Sequence, residues 1–164
     1  FSINIYITVM QNCENGKRFL NFWFTILIIT LVLFYIFNII KTKSDYFFAT
    51  IGLLLSLVIL ISNSTSIIDF AHFFLFLGYI IPLAIVSKNK NLLILNTFVI
   101  SVVLFSRQYY GECILNIRQK QEGYFRNLSC ELDLDWDMLL TVLFGISIYR
   151  LVKLFGISKE LMMQ

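Results

Sequence analysis

Residues 19–40 read FLNFWFTILIITLVLFYIFNII. At a rise of about 1.5 Å per residue this run is helix enough to cross a hydrocarbon core about 30 Å thick. Its strongly polar members, Asn21 and Asn38, stand near its two ends. It is too long for the apolar core of a signal peptide, and no small-residue cleavage site follows it, so it reads as a retained span. Backbone N–H and C=O groups in lipid must be satisfied within their own segment, which makes helix the expected form.

Four further apolar runs follow, at residues 46–62, 67–86, 92–106 and 138–155. The third carries Asp69, His72, Gly78 and Pro82, and the fifth has Arg150 and Lys153 in its last turns. Ile, Val, Phe and Tyr also favour strands. These runs are continuously apolar, however, whereas a transmembrane barrel needs alternation and an even strand count. The expected fold is an all-α membrane protein, a bundle of about five transmembrane helices with one amphipathic or extramembrane helix. Residues 1–18 form an N-terminal extramembrane segment and 19–106 hold four spans. Residues 107–137 form an extramembrane loop with the amphipathic helix, and 138–164 the fifth span with a basic tail.

The composition agrees. Of 164 residues, 59% are hydrophobic and 14% charged, against roughly 45–50% and about 25% in soluble domains. Mean hydropathy is +0.81. One Pro, seven Gly and three Cys exclude collagen-like, disordered and disulfide-framed classes. The net charge is +3, but the cations are scattered in pairs and none of their runs would follow a nucleic-acid backbone, so no nucleic-acid partner is expected. Plentiful Phe, Ile, Asn, Lys and Tyr point by codon association to an AT-rich genome. The chain begins at Phe1 rather than Met, and a trimmed or fragmentary product is expected.

Five spans place the termini on opposite sides. Lys41, Lys43, Lys88, Lys90, Lys153 and Lys159 then share one side, which the positive-inside rule makes the cytoplasmic or matrix-like one. Cys13, Cys113 and Cys130 fall on the other, as do the sequons Asn63-Ser64-Thr65 and Asn127-Leu128-Ser129. The expected orientation is N-terminus outside and C-terminus inside.

Few residues invite chemistry. Asp69 and His72, three apart on one helix face, and Arg107 at the end of the fourth run make a candidate polar cluster near the outer end. It reads either as a proton relay or ligand site with His72 titrating, or as a helix-entrance acid and an intrabundle hydrogen bond. In the loop, Ile114, Ile117, Gln121 and Tyr124 or Phe125 recur at helical spacing, for a helix on the membrane surface or packed on the bundle. Cys113 and Cys130 flank it as a candidate disulfide, with Cys13 a competing partner. In the alternating stretch 131–137, Trp136 is placed at the interface and Asp137 as the N-cap of the fifth helix. Gly52, Gly78, Gly145 and Pro82 permit close helix approach or a kink. With one His and no metal-ligand or nucleophile spacing, no metal, cofactor or enzymatic activity is expected.

From His72 through about Glu122 the chain resembles a family of small multi-pass membrane proteins of unassigned function, found in bacteria and large DNA viruses. The features shared are His72 in a span, the basic turn at 88–91, and Tyr109-Tyr110 followed by Gly111-Glu112-Cys113-Ile114-Leu115. The chain departs from that pattern in lacking a Trp before the Gly and an acid soon after the Leu, where Asn116 and Arg118 stand. The resemblance implies a compact bundle and no known reaction.

The function expected is that of a non-enzymatic structural or assembly subunit of a larger membrane complex, with the lipid bilayer and other membrane subunits as partners. The mitochondrial inner membrane (a respiratory assembly) and a viral internal membrane are the candidate settings. The alternative is a small channel or transporter whose polar path passes Asp69, His72 and Arg107.

Overall fold

A computed structural model describes the backbone of residues 2–110 and 135–160 and the side chains of 18–109 and 135–156. The described residues are helical, without strands. The elements are α1 (Ser2–Ile36), α2 (Lys43–Ile61) and a third unit made of α3 (Thr65–Leu75), one π-helical turn (Phe76–Ile80) and α4 (Ile81–Val86). After these come α5 (Lys90–Tyr110) and α6 (Trp136–Glu160). Five stretches are long and apolar enough to cross a membrane: Arg18–Ile36, Lys43–Ile61, Thr65–Val86, Lys90–Tyr109 and Trp136–Gly156. The expected surface helix within residues 107–137, the candidate Cys113–Cys130 disulfide and the second sequon lie outside the described residues.

The ends of the helices follow from local chemistry. The first apolar run was expected to continue to residue 40, yet α1 stops at Ile36. Asn38 takes φ 50, the left-handed conformation that Asn tolerates better than most residues. Its N–H donates to Tyr35 O at 3.2 Å and the Ile39 N–H to Phe34 O at 3.0 Å, the double bond of a Schellman end. Ile39 and Ile40 therefore turn the chain back instead of lengthening the span. Thr42 opens α2, its Oγ1 accepting from Asp45 N at 3.1 Å and donating to Asp45 Oδ2 at 2.7 Å. At the other end, α1 extends back to Ser2, so the N-terminal segment continues the first helix, about 52 Å in all at 1.5 Å per residue.

The third unit changes its winding at Pro82. Proline has no N–H and its ring collides with the carbonyl one α-turn back. The ladder widens just before it, with Ile81 N–H reaching Phe76 O, an i to i+5 bond. The kink expected from Pro82 is thus a π-turn. Gly52 on α2 serves the expected close approach: a Cβ there would stand 2.3 Å from Cδ2 of Tyr79, whose ring is fully buried. Gly78 lies against Ile51. Gly145 does not serve such an approach among the described residues, since nothing lies within 4 Å of where its Cβ would be.

Neighbours in sequence pack as neighbours in space. The α1–α2 and α2–α3 pairs meet along their lengths, α4 touches both α5 and α6, and α5 runs against α6. Leu27, Leu31, Ile59, Ile68, Leu83, Leu92, Ile100, Leu140 and Leu143 fill the space between them. Outside is a belt of exposed apolar side chains that includes Ile29, Leu33, Leu54, Phe70, Leu77, Ile94, Phe98, Val142 and Ile146. Soluble monomers rarely expose a contiguous apolar patch beyond a few hundred Å². Five long apolar helices with such a belt fit a membrane-embedded protein.

Candidate functional site

The two ends of the bundle carry nearly all its charge, and they differ. At the end formed by residues 37–42 and 87–89, Asn89 Nδ2 donates to Ile39 O at 2.7 Å and joins the two turns. Asn89 Oδ1 accepts from Asn91 N at 3.0 Å and caps the start of α5. Arg150 reaches in from α6: Nη1 donates to Ala84 O at 2.7 Å and Leu83 O at 3.3 Å, and Nη2 donates to Ser87 O. These are final carbonyls of the third unit, which have no further helix to bond and carry the negative end of the helix dipole. A guanidinium, planar and always charged, suits three acceptors at once. The sequence placed Arg150 in the last turns of the fifth helix. The helix instead runs to Glu160, and Arg150 is a half-buried cap for another helix. Lys90 Nζ sits 5.0 Å from the centroid of the Phe155 ring, a cation–π contact that joins α5 to α6 at this end.

At the opposite end the cluster expected from Asp69, His72 and Arg107 takes the following shape. Asp69 lies past the first turn of α3 and is 5% exposed, so it is a buried residue rather than the entrance acid of the helix. His72 is half-buried one turn further on. Arg107 Nε donates to Oδ1 of Asp137 at the start of α6. Trp136, next to Asp137, meets Phe76 edge-on with ring centroids 5.2 Å apart. The ring contact sets the start of α6 beside Phe76 of the third unit, and the Arg107–Asp137 pair ties α5 to that same start. The helix extends past Arg107 to Tyr110.

Asp137 was expected to cap the fifth helix, and the structure corrects this. Asp135 Oδ1 accepts from Asp137 N and Met138 N, both at 3.0 Å, which makes Asp135 the N-cap and Trp136 the first helical residue. The alternation Asp133-Leu134-Asp135-Trp136-Asp137 offers three acids in one pattern. The middle one takes the cap, and the next pairs with Arg107.

Sequence reasoning missed the polar residues of the interior. Asn96 on α5 is fully buried and donates from Nδ2 to Ile80 O at 3.0 Å, on the last residue of the π-turn. The signal was present as an amide in the middle of an apolar run, where it needs a partner on another helix. Ser56, Tyr79 and Ser147 are buried with it, and their hydroxyls have no hydrogen-bond partner among the described residues. Among the described residues, His, Cys, Asp and Glu form no group of three or more that could hold a metal. No protein family, curated protein or solved structure matches the chain.

Proposed function

We propose that the chain is a non-enzymatic, multi-pass membrane protein that serves as a structural or assembly subunit of a larger membrane complex. The observation that carries this reading is the outward face of α6. Its span has 17% of its residues buried inside the molecule, against 50% for the third unit. Thr141 and Gly145 lie one turn apart on that face, with open space around Gly145. Met138, Val142 and Tyr149 stand out beside them. A small-residue notch between large apolar side chains lets a second transmembrane helix approach closely, and close packing is what holds helices together where burial from water gives no advantage. The basic end faces the cytoplasmic or matrix-like side and the N-terminus the other. A respiratory assembly of an AT-rich organelle and the internal membrane of a large virus suit the composition.

The channel reading has less support. Arg107 is engaged by Asp137 at the start of α6.

Purification of a tagged chain in mild detergent, followed by identification of the chains retained in fixed ratio, tests the proposal. Replacing Thr141 and Gly145 by Leu should release those chains while helix content stays unchanged. A wild-type chain that runs as a lone monomer, or partners indifferent to the double substitution, would overturn the reading.

A further inference from the structure

The basic end of the bundle is more than a row of loop charges. Lys41, Lys43, Lys88 and Lys153 are exposed there, Lys90 is half-buried, and Asp45 is the acid among the described residues at this end. Asp45 is itself buried and bonded to Thr42, so it neutralises little of the surface. The bonds from Asn89 to Ile39 and from Arg150 to Ser87 hold both turns and α6 together. Lys88 follows Ser87, and Lys153 is one turn beyond Arg150, so the cations are gathered by structure and not by sequence alone.

Directly beside them α6 carries an open groove lined by Ile148, Leu151, Val152, Phe155 and Gly156. Gly156 leaves its floor open, with nothing within 4 Å of a Cβ position. From residue 148 to 156 the groove follows about 12 Å of helix at 1.5 Å per residue, along a face that otherwise meets the surroundings. Phe155, one of its walls, is the ring that Lys90 covers. An apolar trough with one ammonium over its wall and further lysines at the same end of the bundle is complementary to one kind of molecule: an amphiphile whose polar head is negative.

We propose that this groove and the lysines beside it hold an anionic phospholipid, the acyl chain along Ile148, Val152 and Phe155 and the phosphate among Lys90, Lys88 and Lys153. The assignment rests on the membrane placement proposed above. An acidic peptide would satisfy the lysines and leave the groove empty, and a zwitterionic lipid would fill the groove and neutralise the cations only in part. The lipid would fill the space between the basic end and a partner helix seated higher on α6 at Gly145.

The test uses the whole chain, purified in a maltoside detergent with equal amounts of phosphatidylglycerol and phosphatidylcholine, and native mass spectrometry to count what stays bound. Phosphatidylglycerol should be retained in preference. The pair Lys90→Gln and Lys153→Gln should lower its retention about 25-fold, at about fivefold per lysine. The pair Lys41→Gln and Lys43→Gln removes the same charge away from the groove and should change retention little. Val152→Trp should lower retention with no change in charge, and excess inorganic phosphate should not displace the lipid. Equal retention of the two lipids, equal loss from the two lysine pairs, indifference to Val152→Trp, or displacement by phosphate would each overturn the lipid site while leaving the membrane placement standing. A chain that stays soluble without detergent would overturn both.

Discussion

Tyr79 lies flat against Gly52, and the contact leaves no room for a methyl group. The nearest ring atoms belong to a fully buried side chain, so the helices themselves would have to part. Gly52→Ala should lower stability by about 1–3 kcal/mol, the usual cost of overpacking, read as a fall in the thermal unfolding midpoint in detergent. An unchanged midpoint would show that α2 and the third unit do not meet as closely as described. Arg150 makes a sharper case, because its value lies in its shape. Hydrogen bonds to a charged group contribute about 1.5–3 kcal/mol, so Arg150→Met should destabilise by about that much. Arg150→Lys should recover only part, since a single ammonium cannot serve Leu83, Ala84 and Ser87 together. Full recovery by Lys would mean that charge near the helix end, and not the forked geometry, is what matters.

Helix ends show where sequence patterns are informative and where they stop. The five long apolar helices were legible because an uninterrupted apolar run over a bilayer's thickness has few other uses. The start of α6 was legible only to within two residues, because three alternating acids all qualify as caps by residue type. This can be checked directly. Asp135→Ala should cost about 0.5–2 kcal/mol, the range for a lost N-cap, whereas Asp137→Ala should cost about 1 kcal/mol or less, since its own carboxylate is largely exposed. Both can be read by thermal unfolding. A larger loss at Asp137 would return the cap to that residue. The π-turn was half legible: Pro82 announces an interruption, but the form it takes depends on the packing around it, including Asn96. The role of Arg150 was not legible, because the carbonyls it caps lie more than sixty residues away in sequence.

Taken together, the bundle has an apolar belt, a cationic end and an opposite end that carries Asp69, His72 and the Arg107–Asp137 pair. The candidate cluster was legible as a set of residue types, while its arrangement was not, since it depends on how far α5 and α6 rise beside α3. Each of these features takes its meaning from the chain passing through a bilayer at its five long apolar helices, as proposed. Residues 63 and 88 are exposed at the two ends of the third such helix and make the most direct probe. In a chain with Cys13, Cys113 and Cys130 changed to Ser, either Asn63→Cys or Lys88→Cys is introduced and treated in sealed, uniformly oriented vesicles with a membrane-impermeant maleimide. One position should react at once and the other only after the vesicles are opened. Reaction of both positions from the same side would contradict that passage through the bilayer.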